Sequence, residues 1–89
     1  MIRGAKVVAQ SHSVLIVDDD PKMRDSIERM LGASGHFVQS VADGASALAA
    51  ATANGQPALL ILDRMLPDAA GVELLEHLRA QGVRSPAII

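Results

Sequence analysis

The sequence contains no cysteine, tryptophan or tyrosine, and Phe37 is its only aromatic residue. Without cysteine the chain can form neither disulfides nor thiolate metal ligands, and it is compatible with a reducing compartment. Without large aromatic rings, a hydrophobic core must be built from aliphatic side chains. We expect Met23, Met30 and Met65 to fill gaps in that core, because methionine adapts to irregular spaces.

Long apolar runs and blocks of positive charge are also missing. No stretch has the length of a membrane span, and the first residues lack the apolar segment of a secretion signal. The formal net charge is −2 and no basic patch is present, so this segment gives no indication of nucleic-acid binding. We therefore expect a soluble, cytoplasmic protein that contacts neither membranes nor nucleic acids through this segment.

What remains is the composition of one small folded domain. The chain has 89 residues, is 49% hydrophobic and has a mean hydropathy of +0.27, which is not the composition of a disordered segment. This length supports at most one domain of modest core size. We expect residues 1–12 to be a flexible leader and residues 13–89 to form the domain.

Three consecutive aspartates follow an apolar run. The run, 14–17, is short, unbroken and bounded by turn signals, which is typical of a strand buried on both faces. Asp18, Asp19 and Asp20 then lie at the carboxyl end of that strand, where open α/β sheets bind their ligands. Folding alone gives no reason to gather three anions there, whereas Mg²⁺ prefers carboxylate oxygens. We favour a metal site over a turn of solvated acids.

A second apolar run, 58–62, leads into Asp63. If the two predicted strands are parallel neighbours, Asp63 reaches the same edge of the sheet as Asp18 and Asp19. This convergence is the central prediction from the sequence.

Strand-like and helix-like segments alternate along the whole domain. This alternation predicts a parallel sheet with right-handed helical crossovers. We expect Asp20 to cap the first helix, with Pro21 in its first turn. The predicted strands are 13–17, 37–41, 58–62 and 86–89, and the predicted helices start at 21, 44 and 71. The predicted apolar stripes are Met23, Ile27, Met30 and Leu31 in the first helix and Val72, Leu75 and Leu78, with Leu74 beside them, in the third.

These motifs together resemble the receiver domain of bacterial two-component response regulators. The resemblance is carried by Val-Leu-Ile-Val-Asp-Asp-Asp-Pro, by Leu-Ile-Leu-Asp, and by Asp63-x-Met-Leu-Pro-x-x-x-Gly71, in the family's order. It covers about 13–89 and implies a flavodoxin-like (CheY-like), doubly wound parallel sheet. The family's strand order is 2-1-3-4-5, so we expect an incomplete sheet of order 2-1-3-4, truncated after the start of strand four.

The resemblance also implies roles for individual residues. Asp63 matches the aspartate that accepts a phosphoryl group from a sensor histidine kinase. Asp18 and Asp19 match the acidic pair that holds Mg²⁺, with Asp19 as the more direct ligand and Asp18 acting partly through water. Met65 matches the position whose backbone carbonyl completes the metal shell. Such a domain is a phosphoacceptor in signal transduction rather than an enzyme.

Two of the family's positions fall beyond Ile89. They are the hydroxyl residue that ends strand four and the lysine that ends strand five, so we expect phosphorylation from a donor to be impaired. The apolar segment 87–89 would form an exposed strand edge, which favours pairing with a second copy of the chain. We therefore expect a homodimer through this edge.

Two other kinds of function stay open at this point. A receiver that is never phosphorylated could serve as a protein-interaction or dimerisation module. A metal-dependent phosphohydrolase could use Asp18 and Asp20, since aspartate-nucleophile phosphatases also place such a pair after an apolar strand. We rank that class last, because Lys22 stands where it usually has threonine or valine and its downstream motifs are absent.

Overall fold

The computed structural model describes residues 12–53 and 55–89. Within these residues, four strands and three helices alternate as predicted, with small differences at their ends. The predicted leader, 1–12, lies outside the described residues apart from His12. The elements are β1 (Ser13–Val17), α1 (Pro21–Ala33), β2 (Phe37–Val41), α2 (Gly44–Ala53), β3 (Leu59–Leu62), α3 (Gly71–Ala80) and β4 (Ala87–Ile88).

The strands form one parallel sheet in the order β2-β1-β3-β4, which confirms the predicted topology. β1 lies between β2 and β3, and its last four residues are buried, as its unbroken apolar run predicted. β3 is likewise central. β2 forms one edge of the described sheet, where its alternation of apolar and polar residues leaves it only partly covered.

The core is aliphatic, as the lack of aromatic residues predicted. Side chains alternate between the two faces of a strand, so Leu15 and Val17 of β1 point to one face together with Leu60 and Leu62 of β3. The helices α2 and α3 cover this face and complete one cluster of buried side chains. Val14 of β1 points to the opposite face, on which α1 lies.

The expectation that methionines fill the core is wrong. Met23, Met30 and Met65 are 48%, 64% and 67% exposed. In the described structure α1 contains no buried residue. It packs mainly over the β1–β2 side of the sheet, where Ile27 and Leu31 become partly covered. The two methionines of α1 lie on the flank of the predicted stripe that stays exposed.

The predicted stripe of α3 is also partly wrong. Val72 is 57% exposed, whereas Leu74 and Leu78 are almost completely buried and Leu75 is partly buried. The helix begins at Gly71, which is itself buried against the preceding loop. That contact fixes the rotation of the helix, so residues three and seven positions after Gly71 face the core.

Local signals in the sequence set the helix ends. The Asp20 carboxylate accepts a hydrogen bond from the Lys22 backbone N–H at 2.9 Å, and Pro21 occupies the first turn of α1. Beyond the ends of α1 and α3, Gly35 and Gly82 adopt φ values of +87° and +90°, a conformation that favours glycine. No helix in the described parts of the chain is long and apolar enough to cross a membrane.

Candidate functional site

Parallel pairing of β1 and β3 positions two of the predicted acids. The register pairs Val17 with Leu62, so Asp18 and Asp63 are the next residues of two adjacent strands. The Asp63 N–H donates to the Val17 carbonyl at 2.8 Å, and the Asp18 N–H donates to the Val41 carbonyl at 3.1 Å. Strand-type hydrogen bonds thus hold both aspartates at the carboxyl end of the sheet.

Three carboxylates meet at this edge. Asp18, Asp19 and Asp63 each place an oxygen so that these atoms all lie within 4.8 Å of one another. Asp18 and Asp63 are partly buried and Asp19 is exposed. The predicted convergence of the three acids is therefore confirmed. The Asp20 carboxylate instead accepts the N-terminal hydrogen bond of α1, as its expected role of cap requires.

The environment raises the pKa of Asp18. Burial is the largest cause, and the negative charges of Asp63, Asp20 and Asp19 add to it. The Asp20 N–H, which donates to Asp18 Oδ1 at 2.9 Å, partly opposes the shift. Ionisation of the whole cluster is thus electrostatically unfavourable, and a bound cation would offset the repulsion between its carboxylates.

Arg24 makes a contact with the acidic edge that helical periodicity did not predict. Its Nη1 donates to the Asp18 backbone carbonyl at 2.7 Å and ties α1 to the end of β1. The guanidinium therefore supports the main chain of the acidic edge. No local sequence pattern pointed to this contact, because it depends on how α1 packs against the end of β1.

The loop after Asp63 closes on itself. Met65 and Ala70 form an antiparallel bridge, the Leu66 N–H donates to the Ala69 carbonyl at 2.9 Å, and the Gly71 N–H donates to the Arg64 carbonyl at 2.8 Å. These bonds shape the loop as a small hairpin between β3 and α3. The buried side chain of Leu66 anchors it to the core.

Side chains at the surface of this loop play no part in that closure. Arg64 is exposed, and the Met65 side chain points away from the core. The predicted role of the Met65 backbone carbonyl as a metal ligand stays a prediction. At the start of α3, Ala70 has no capping side chain, and its N–H donates instead to Glu73 Oε1 at 3.0 Å.

Asp68, near the tip of the loop, contacts a different helix. Its two carboxylate oxygens accept hydrogen bonds from the Gly44 N–H at 2.8 Å and the Ala45 N–H at 3.1 Å, at the start of α2. These bonds lower the pKa of the Asp68 carboxyl. The contact joins segments far apart in sequence, so periodicity and local motifs gave no sign of it.

The donor set of the acidic edge fits a hard divalent cation. Three carboxylates supply only oxygen ligands, and one of them remains open to solvent. Mg²⁺ is commonly bound by a few carboxylates while it keeps several waters. The arrangement matches that requirement better than it matches a soft metal, which would prefer sulfur or imidazole ligands.

Comparison with known proteins identifies the family to which the chain belongs. Residues 14–89 match the family model of the response regulator receiver domain. The chain belongs to this family, whose proteins act in two-component systems. The family match gives no support to the phosphohydrolase alternative.

The chain resembles particular regulators from Mycobacterium tuberculosis. It is 35% identical over 80 residues to the probable transcriptional regulatory protein TcrX, covering 90% of this chain and 34% of that protein. It is 41% identical over 76 residues to the transcriptional regulatory protein TcrA, covering 85% and 30% respectively. The chain thus spans about a third of the length of these relatives.

Solved receiver domains share the fold. The receiver domain of the Francisella response regulator 1452 is 31% identical with a TM-score of 0.78, covering 88% of this chain and 64% of that one. The Vibrio cholerae chemotaxis response regulator CheY4 is 32% identical with a TM-score of 0.77, covering 82% and 60%. The receiver domain from the hybrid histidine kinase CckA is 36% identical with a TM-score of 0.78, covering 84% and 70%.

Proposed function

We propose that this chain accepts a phosphoryl group on Asp63 in two-component signal transduction. Mg²⁺ would be held by the carboxylates of Asp18, Asp19 and Asp63 and by the Met65 backbone carbonyl. The observation that carries the proposal is the meeting of three carboxylates, within 4.8 Å, at the sheet edge of a chain that belongs to the receiver family.

The proposed reaction is an exchange of bonds at phosphorus. A carboxylate oxygen of Asp63 attacks the phosphorus of a phosphohistidine, and the new O–P bond forms as the P–N bond breaks. The electron pair of the broken bond stays on the imidazole nitrogen, and the product is an aspartyl phosphate. Mg²⁺ would offset the repulsion between the carboxylate and the phosphoryl oxygens. The strand hydrogen bond from the Asp63 N–H holds the nucleophile in place.

The proposed phosphoryl donor is a sensor histidine kinase, and the chain acts as a signalling acceptor rather than an enzyme. Its kinship with transcriptional regulatory proteins and with a receiver domain from a hybrid histidine kinase supports this partner. A cytoplasmic location, without contacts of this segment to membranes or nucleic acids, belongs to the same proposal.

Intact-protein mass spectrometry after incubation with Mg²⁺ and a small acyl phosphate tests the function. We expect one labile phosphoryl adduct on the wild-type chain, which disappears in Asp63→Asn and when a chelator removes Mg²⁺. Asp25→Asn is the matched control, because Asp25 is an exposed aspartate of α1 that pairs with Arg29 away from the acidic edge. An unmodified wild-type chain with intact helical circular dichroism would contradict the proposal, as would an adduct that persists in Asp63→Asn.

A second candidate function is a protein-interaction or dimerisation module that needs no phosphorylation. Ile88 and Ile89 are 56% and 47% exposed, and β4 pairs with β3 alone among the described strands. Such an apolar strand edge is a template for pairing with another chain. We expect a concentration-dependent dimer in sedimentation experiments that Ile88→Lys weakens and Asp63→Ala leaves unchanged. A monomer at all concentrations would exclude this module as a homodimer.

A further inference from the structure

The loop that follows the proposed phosphoacceptor is fixed at two places. At its base, the Met65–Ala70 bridge and the hydrogen bond from Gly71 close the hairpin. Near its tip, both carboxylate oxygens of Asp68 accept hydrogen bonds from the first residues of α2. Met65 itself belongs to the base and precedes Asp68 in the same short loop, so a displacement of the tip would reach its backbone carbonyl through Leu66 and Pro67.

The tip contact is more than a cap of α2, because α2 already has a local one. Asp43 Oδ1 accepts a hydrogen bond from the Ser46 N–H at 2.8 Å, across a single turn. Asp68 satisfies two other N–H groups, those of Gly44 and Ala45, from a separate part of the chain. Its distinctive effect is therefore on the loop to which it belongs.

The close fit at Gly44 restricts where the loop tip can lie. Gly44 is buried, and a Cβ built on it would stand 3.1 Å from Asp68 Oδ1 and 3.4 Å from Asp68 Oδ2. The carboxylate thus rests directly against the backbone at the start of α2. The N-terminal end of the helix carries partial positive charge, which favours an ionised carboxylate there.

We propose that Asp68 is a positioning residue for the metal site: it anchors the loop tip on α2 and so holds the Met65 carbonyl toward Asp18, Asp19 and Asp63. This inference rests on the proposed function, because it assumes that the Met65 carbonyl takes part in binding Mg²⁺. Asp68 itself does not contact the metal; it acts through the loop backbone.

Titration of the full chain with Mg²⁺ tests the inference, with the backbone amide signals of Met65 and Leu66 as the readout. Asp68→Ala removes both tip hydrogen bonds, and Asp43→Ala removes a cap of the same helix without releasing the loop. We expect Asp68→Ala to weaken Mg²⁺ binding by about tenfold, the low end for residues that orient a metal ligand. Asp43→Ala should bind like the wild type. Asp68→Asn, which keeps one acceptor oxygen, should recover part of the affinity.

Thermal unfolding of each variant shows whether a loss of Mg²⁺ affinity comes from a displaced loop or from a general loss of stability. Equal Mg²⁺ affinity in Asp68→Ala and the wild type would overturn the role of Asp68 and leave the proposed function standing. Equal losses of affinity in Asp68→Ala and Asp43→Ala, in proportion to their lost stability, would overturn it as well. If Asp68→Ala does not fold, the Mg²⁺ affinity of Asp68→Asn is compared with that of the wild type. Equal affinities would again overturn the role of Asp68. Absence of Mg²⁺ binding by the wild-type chain would overturn both the proposed metal site and this inference.

Discussion

Gly71 lies directly against the backbone carbonyl of Asp63. A Cβ built on Gly71 would overlap that oxygen, closer than any real contact of a Cβ atom. The start of α3 therefore packs so closely against the Asp63 backbone that only a hydrogen atom fits at the side-chain position of residue 71. This proximity links the rotation of α3 to the geometry of the acidic edge.

We expect Gly71→Ala to destabilise the chain by roughly 1–3 kcal/mol, because the added methyl group must displace backbone. Mg²⁺ affinity should fall with it, since the Asp63 carbonyl has to move. Gly32→Ala in α1 is the control, because its Cβ would meet nothing within 4 Å; it should be neutral or stabilising by up to about 1 kcal/mol. Urea unfolding followed by circular dichroism measures both, and equal stabilities of the two variants would refute the expected clash.

Substitution of Asp20 separates capping from metal binding. Asp20→Ala should lower the free energy of unfolding by about 1 kcal/mol, because the Lys22 N–H at the start of α1 loses its acceptor. Mg²⁺ binding should persist, in contrast to Asp19→Ala, which removes a proposed ligand. Calorimetric titration with Mg²⁺ gives the comparison. Loss of binding in Asp20→Ala equal to that in Asp19→Ala would assign Asp20 to the metal shell.

The raised pKa of Asp18 predicts how the stability of the chain depends on pH and on Mg²⁺. A folded-state pKa above the unfolded value favours folding at low pH, and this contribution is lost as the pH rises through the folded pKa. At neutral pH, Asp18→Asn should therefore raise the melting temperature of the metal-free chain while reducing the stabilisation that Mg²⁺ provides. Thermal unfolding with a chelator and with Mg²⁺ measures the two effects. A variant that Mg²⁺ stabilises as strongly as the wild type would remove Asp18 from the site.

Asp68 predicts the opposite dependence on pH. Its pKa is lowered in the folded chain, so its contribution to stability is present above the ordinary value of 3.8 and is lost as the pH falls through the folded pKa. We expect the stability difference between the wild type and Asp68→Asn to shrink on acidification from about pH 5 to pH 2. Urea unfolding across this range, with Asp25→Asn as control, gives the measurement. A difference that stays constant would show that the charge of Asp68 is not involved.

The aliphatic core and the exposed flank of α1 should respond differently to truncation. Leu78 of α3 is fully buried, so Leu78→Ala should cost about 2–5 kcal/mol through lost burial and a residual cavity. Met30→Ala should change stability by less than about 0.5 kcal/mol, because the side chain is 64% exposed. Urea unfolding compares the two. If Leu78→Ala does not fold, Leu78→Met, which keeps the side-chain volume, provides the measurable variant.

The sequence predicted the fold and the acidic edge because both depend on strong local patterns. Unbroken apolar runs identified β1 and β3 as central strands, and turn residues separated the elements. Once the strands are parallel neighbours, the aspartates that end them must meet at one edge. Asp18, Asp19 and Asp63 therefore follow from strand order alone, and their roles remain proposals drawn from the family.

What the sequence did not predict depends on contacts between distant segments. The exposure of Val72 follows from the contact of Gly71 with the Asp63 carbonyl, which sets the rotation of α3. The exposed methionines of α1 depend on which strands that helix covers. The hydrogen bond between Asp68 and Gly44 joins the loop after β3 to the start of α2, two segments that no periodicity relates. Helical spacing identifies an apolar face but does not say what lies opposite it.

The pairing of β1 with β3 also has a consequence for the order of folding. Asp18 and Asp63 are far apart in the chain and become neighbours only when these two strands align, a non-local step that is slow compared with helix formation. The acidic edge therefore cannot exist in early, locally structured states. Because ligands stabilise the states that contain their site, Mg²⁺ should retard unfolding of the completed sheet and leave the rate of folding almost unchanged.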